Sequence, residues 1–212
     1  MQNYRKMRSP RHHDVIMKVI PGHFVTPNSH INYYIDMTTM KTRQNEAKAA
    51  ANAMSEVYVA STVIDTIVCM DGMEVIGAYM ADELTRAGIM SLNAHKTIYI
   101  MSPEYDLSGQ MIVRENNQMM VRGKHCLLLL ASATTGQTIA RATESINYYG
   151  GTIEGISAIF SAVSKVMDRP VHALYTTADL PDYMSYQPSK CRMCQNHEPI
   201  DAICNGFGYS RL

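Results

Sequence analysis

The stretch HCLLLLAS, residues 125–132, is apolar at six successive positions, 126–131. A strand with one wet face alternates apolar and polar side chains. This one does not, so a strand here must be covered on both faces. DTIVCM (65–70) is a second short run of the same kind, and KTIYIM (96–101) reads as a further strand. Helical patterns stand among them. The Ala-rich stretch 43–60 is built from strong helix formers. DGMEVIGAYMADELTRAG (71–88) reads as a tight turn entering a helix that carries Ala78, Ala81 and Leu84 and is capped by Gly88. GQTIARATESINYYGG (136–151) is a helix closed by Gly150 and Gly151, and strands follow at 152–163 and 171–177. Strands alternating with helices predict an α/β protein with a parallel sheet covered on both faces.

The flanks are less regular. Residues 1–13 carry Arg5, Lys6, Arg8, Arg11 and two His with little to bury, and read as a loose basic arm. The apolar spacing of 14–20 predicts a turn or two of helix stopped at Pro21 and Gly22. HFVTPNSHINYYIDM (23–37) reads as strand, turn, strand. The polar segment 102–124 is a mobile loop or a small hairpin, and loops this long are often functional. With 212 residues the chain suits one domain or one with a small appendage.

Charge and cysteine content narrow the function. Basic and acidic residues number 19 each, so there is no basic excess of the kind nucleic-acid binders show. No apolar stretch approaches the ~20 residues of a membrane helix. The basic N-terminus has no apolar signal core behind it, so a soluble, cytoplasmic protein is expected. An odd count of five Cys argues against a secreted disulfide scaffold, and the 17 Met read as core filler.

The apolar run ends in LASATTGQT (130–138). Where a parallel strand turns into a helix, backbone N–H groups are left without intrahelical partners. Together with hydroxyls they form an anion nest. Ser132, Ala133, Thr134, Thr135, Gly136, Gln137 and Thr138 are therefore candidate phosphate-binding residues. A plain Thr cap at a strand–helix junction is the competing reading. The spacing is not that of a Walker loop.

The stretch VRGKHCLLLLASATTGQTIARATESINYYGGTIEGISAIFS (121–161) resembles the signature region of type I phosphoribosyltransferases. There a Gly-Lys-apolar strand leads to a loop ending Thr-Thr-Gly-x-Thr, then a helix, then Gly-Gly. FVTPNSHINYYID (24–36), through Tyr33, Tyr34, Ile35 and Asp36, is similar to the N-terminal segment of the orotate branch. The tail PSKCRMCQNHEPI also looks like the Cys-x-x-Cys tail of some members of that branch. The resemblance implies a central parallel sheet of about five strands flanked by helices, with a small N-terminal hood. Residues 14–40 would form the hood, 41–180 the phosphoribosyltransferase-like core and 181–212 a tail. It also implies that 134–138 grips a 5-phosphate, that 71–74 (Asp71, Gly72, Met73, Glu74) is the pyrophosphate-loop equivalent, and that the protein is a homodimer. Tyr33 and Tyr34 are base-side candidates able to stack on a planar base, with core or dimer packing as the competing reading.

The sequence departs from that pattern at the chemistry. Leu130 and Ala131 stand where the family carries two adjacent acids that hold the ribose and help organise Mg2+. Neither can bind a hard cation. Met101 and Ser102 replace an Arg-Lys pair, and the following loop has no base before Arg114. Losing one cation aimed at a leaving pyrophosphate can remove about 10²–10³ in rate. Asp71 and Glu74 would also repel a pyrophosphate. The expectation is an orotate phosphoribosyltransferase-like protein that binds a nucleotide or ribose 5-phosphate at 132–138, with transfer weak or lost. The alternative is a working orotate phosphoribosyltransferase that makes orotidine monophosphate and pyrophosphate with Mg2+. It would draw charge from Asp71, Glu74, Lys96 or Arg114. A purely structural or partner-binding module is the third reading.

No metal site is expected beyond one weak zinc candidate, Cys191, Cys194, His197 and Cys204. Its C-x2-C-x2-H-x6-C spacing is unusual, and free or packed thiols are the favoured reading. The remaining His are scattered without a triad-like spacing.

Overall fold

The computed structural model describes residues 4–86, 88–107 and 109–212. The first three residues of the expected arm, Ala87 of the helix expected at 71–88, and Ser108 of the 102–124 segment lie outside these. The chain begins with strands β1 (Arg5–Arg8), β2 (Ile16–Val25) and β3 (His30–Asp36), followed by helices α1 (Thr38–Thr42) and α2 (Gln44–Ser55). Next come β4 (Thr66–Cys69), α3 (Glu74–Arg86), β5 (Tyr99–Met101) and the short strands β6 (Glu104–Tyr105) and β7 (Met111–Ile112). Strand β8 (His125–Ala133), α4 (Gln137–Tyr148) and β9 (Thr152–Ser161) follow. After them lie β10 (Lys165–Val166), β11 (Arg169–Pro170), β12 (His172–Thr176) and β13 (Ser185–Tyr186). Helix α5 (Arg192–Gln195) and strands β14 (Ala202–Asn205) and β15 (Gly208–Arg211) complete the chain.

The core sheet has the order β12-β9-β8-β4-β5, and every pairing in it is parallel. Strand β8 lies at its centre, which explains the unbroken apolar run. Leu127, Leu129 and Ala131 face one layer with α2 and α3, where Ala47, Ala50, Ile76 and Met80 meet them. Cys126, Leu128 and Leu130 face the other layer, against Ile139, Ala142 and Ile146 of α4. Each of the four fully buried Leu, 127–130, contributes about 1.5–3 kcal/mol of burial. The Ala-rich helix α2 buries small side chains, which lets it lie close to α3.

The second sheet is a hood built from both flanks of the core. Its order is β13-β3-β2-β14-β15, with β1 also paired to β2. Strand β14 runs parallel to β2, with Ala202 opposite Phe24. The tail is thus part of the hood rather than a separate appendage.

Several expectations on the flanks are corrected. Residues 14–20 are not helical. They begin the strand β2, with Val15, Met17 and Val19 buried on one face. The arm is not loose across its described part, because β1 pairs with β2 from Arg5↔Val19 to Arg8↔Ile16. The Tyr175 hydroxyl pins this hairpin to the core. It donates to the Val15 carbonyl at 2.8 Å and accepts the Met17 N–H at 3.2 Å. Burial raises that phenol to about 12. Of the two readings of 102–124, the structure has a hairpin, with β6 and β7 antiparallel and a turn of 3-10 helix at Glu115–Met120.

Candidate functional site

The carboxyl ends of the core strands meet the hood at a cavity of about 210 Å3. Ser132 near the end of β8, Thr134 of the loop after it and Thr138 in the first turn of α4 contribute hydroxyls to its wall. Tyr34, Phe160 and Tyr183 contribute rings, and the 205–207 turn closes another side. A smaller recess of about 30 Å3 lies within the 132–139 loop itself, bounded also by Asn28. Asn28, Ser132, Thr134 and Thr138 border both spaces. The expected phosphate-binding residues therefore form one end of a larger, partly aromatic cavity.

Gly136 makes the loop possible. It takes the left-handed conformation at φ 78° as the N-cap of α4 and leaves the helix start without a side-chain cap. A Cβ at this position would also lie 2.6 Å from Val166 Cγ2 on the hairpin behind the loop. The uncapped first turn keeps N–H groups available to an anion.

Leu130 and Ala131, the two positions expected to lack acids, are packed in the core and border the recess and the cavity respectively. Leu130 is fully buried and Ala131 is 5% exposed. The 71–74 loop borders the same cavity through Asp71 and is tied down by its own bonds. Asp71 has φ 56°, and its carbonyl accepts from Lys41 Nζ at 2.7 Å. The same ammonium donates to the Gly206 carbonyl at 2.6 Å. Gly206 packs against the Asp71 side chain so closely that a Cβ there would overlap it. Met73 is buried in the core. Ser102 donates to Glu74 at 2.6 Å, so two positions that depart from the family pattern bond to each other.

Burial lowers the Lys41 ammonium from its usual value, against the opposing pull of Asp71, Glu74 and Asp36. Burial raises the Asp71 carboxyl, with Lys41 opposing and Glu74 adding to the rise. Lys41 gave no signal in the sequence, because a Lys in MTTMKTR reads as solvated. Tyr183 and the 205–207 turn were missed because they come from the tail.

The two base-side candidates part company. Tyr34 is buried, lines the cavity and packs 4.8 Å from the Tyr209 ring, whereas Tyr33, next along β3, is only half-buried and is not among the cavity-lining residues. Burial, with Asp36, Cys204 and Tyr209 adding, raises Tyr34 to about 12.

The Cys191–Cys194 pair gathers different partners from those its spacing suggests. His23 and His30 join it, and one ligating atom from each of the four lies within 4.8 Å of the others. His197 is exposed at φ 58°, just past α5, and Cys204 lies on β14 against the large cavity. The zinc candidate is corrected accordingly.

The parallel five-strand sheet with a hood over its carboxyl edge defines this chain as an α/β protein of the type I phosphoribosyltransferase fold. Solved structures of such enzymes superpose on it. Orotate phosphoribosyltransferase from Aeropyrum pernix matches at 16% identity and TM-score 0.53, covering 77% of this chain and 90% of that one. The Mycobacterium tuberculosis H37Rv orotate enzyme, solved with inorganic phosphate, matches at 14% identity and TM-score 0.52, covering 71% and 81%. Adenine phosphoribosyltransferase from Thermoanaerobacter pseudethanolicus matches at 10% identity and TM-score 0.53, covering 82% and 95%. At these identities the likeness is one of fold. No protein-family model matches the chain, and no curated protein matches it by sequence. Among the described residues, no helix is long and apolar enough to cross a membrane.

Proposed function

We propose that this protein binds a phosphate-bearing small molecule, a nucleotide or a ribose 5-phosphate, and has little or no phosphoribosyl transfer activity. The observation that carries this reading is the single cavity joining Ser132, Thr134 and Thr138 to the rings of Tyr34, Phe160 and Tyr183. Hydroxyls and free N–H groups suit a phosphate, and rings suit a planar base. The weak-transfer half rests on what surrounds the cavity. A pyrophosphate needs cations and open backbone, yet the 71–74 loop is bonded to Lys41, Gly206 and Ser102. The first cation of the 102–124 segment, Arg114, is paired with Glu104 at 2.8 Å. The chain acts as a homodimer in this reading, as the family resemblance implies.

A thermal-shift series with inorganic phosphate, ribose 5-phosphate and nucleoside monophosphates tests the binding. A ligand at 100 times its Kd adds about 2.7 kcal/mol of stability. Thr135→Val combined with Thr138→Val abolishes the shift if the loop holds the phosphate. A response unchanged in the double variant would sink the assignment. Turnover of orotate and phosphoribosyl pyrophosphate with Mg2+, at rates ordinary for such enzymes, would favour the working orotate phosphoribosyltransferase instead. That reading draws on the orotate enzymes among the fold neighbours.

A further inference from the structure

We propose that His23, His30, Cys191 and Cys194 form a tetrahedral site for a divalent transition metal of the zinc class, which staples the tail of the chain to the hood hairpin. The donors come from three segments: His23 from β2, His30 from β3, and the two Cys from the start and body of α5. His23 Nε2 lies 3.0 Å from His30 Nδ1. Cys194 Sγ lies 3.3 Å from His30 Nδ1 and 3.7 Å from His23 Nε2, and Cys191 Sγ is also 3.7 Å from His23 Nε2. Zn–N bonds of about 2.0–2.1 Å and Zn–S bonds of about 2.3 Å at tetrahedral angles give donor–donor edges of roughly 3.3–3.8 Å. Four of the six donor–donor spacings, at 3.0–3.7 Å, are close to the edges of a zinc-sized tetrahedron, and all six lie within 4.8 Å. Two sulfurs and two imidazole nitrogens are also the donor set that zinc takes in closed, structural sites.

The surrounding bonds orient the first His correctly. His23 Nδ1 is 3.0 Å from the Glu198 carbonyl, which can only accept. The ring proton therefore sits on Nδ1, and the bare Nε2 lone pair points at the cluster, as in most metal-bound His. The backbone is arranged for the same end. The β2–β3 register breaks between Pro21 and Phe24, and this bulge buries both His23 and Phe24. Asp201 accepts the His23 N–H at 2.8 Å, and only a residue without a Cβ at position 22 lets its carboxylate come so close. His23, His30 and Cys191 are buried, and Cys194 closes the site from the surface side. Four protein donors leave no open position, so the metal's role is to hold the tail, and with it β14 and the 205–207 turn, against the β2–β3 hairpin of the hood.

The test uses the whole chain purified from zinc-replete cells. About one zinc per chain is expected, and replacement by Co2+ should give the thiolate charge-transfer and tetrahedral d–d absorption of a sulfur-bearing site. Cys194 is the one exposed thiol of the five, so its alkylation is a clean readout. It should be blocked in the loaded protein and restored by chelation. Cys194→Ser and His30→Ala should lose the cobalt thiolate spectrum or weaken it sharply, while His197→Ala and Cys204→Ala should keep it. Should the ligand variants fail to fold, the alkylation of the unaltered protein decides by itself. Absence of retained metal with no cobalt thiolate band, or loss of that band in His197→Ala with His30→Ala unaffected, would overturn the proposal. So would a Cys191–Cys194 disulfide in the freshly isolated protein.

Discussion

Lys41 donates to the carbonyl of Gly206 at 2.6 Å, and through it the helix after the hood hairpin is tied to the last hairpin turn. The same ammonium holds the Asp71 carbonyl, so three distant segments meet at one charge. This knot closes around the loop that follows β4.

Asp71 gives the knot a pH signature. Its folded carboxyl lies above the ordinary aspartate value of 3.8, chiefly through burial. A group with a raised folded pKa contributes stability that is fully present below its unfolded value and lost as pH rises through the folded one. Asp71→Asn removes that dependence while keeping a residue type that tolerates φ 56°. The melting temperature of the variant should gain on the parent as pH rises from 3.8 towards neutrality. Asp71→Ala should be about 1 kcal/mol less stable than Asp71→Asn, because its Cβ alone does not suit the left-handed region. A difference between parent and Asn variant that stays flat with pH would refute the assignment.

Restoring an acid to the signature loop should not restore chemistry. Leu130 is fully buried beside Leu128 and Ile139, so Leu130→Asp places a carboxylate in the core rather than in the cavity. The expected cost is about 3–5 kcal/mol, the scale of an uncompensated buried charge. Urea unfolding measures it. A stable variant that gained Mg2+-dependent turnover would contradict the packing described here.

Gly136→Ala combines two penalties, a left-handed φ of 78° and the approach of Val166. About 1–2 kcal/mol comes from the backbone alone. Pairing it with Val166→Ala should recover the steric part and leave the backbone part, so a double-mutant cycle separates them. Phosphate binding should weaken in both, because the loop shape is lost in both.

Tyr175→Phe tests how the first strand is held. The change leaves the Met17 N–H without its buried hydroxyl partner, while the Val15 carbonyl keeps the Ser9 N–H at 3.0 Å, at a cost of about 1–3 kcal/mol. Amide exchange at Met17 should accelerate more than exchange in β8. Equal protection in parent and variant would show that the hydroxyl does not anchor the hairpin.

The core was readable because its signal is local. Six apolar residues in a row, once read as a strand, require cover on both faces, and β8 sorts them alternately to two layers. The turn after it announced itself through Gly136 and the Thr around it. Strand β2 was misread because Ile16 and Ile20, on its half-buried side, conceal the alternation of Val15, Met17 and Val19. The cysteine pair was visible, but its partners were not. His23 and His30 face it across 168 and 164 residues of chain, for His23–Cys191 and His30–Cys194 respectively, and spacing along the sequence carries nothing about contacts of that range. Lys41 was hidden for the opposite reason, since its burial depends wholly on carbonyls supplied by distant turns.

The parallel pairing of Ala202 with Phe24 orders events in time as well as space. Strand β2 is made before the core, yet the Phe24–Val25 end of one edge, beyond its pairing with β1, has no partner until β14 has emerged. At about 5–20 residues per second, that strand waits seconds with an unpaired edge before β14 arrives. Nonlocal pairings of this kind are slow to form. The roof over the cavity is therefore assembled after the core it covers, and a nascent chain acquires a place to hold a ligand only once β14 has joined β2.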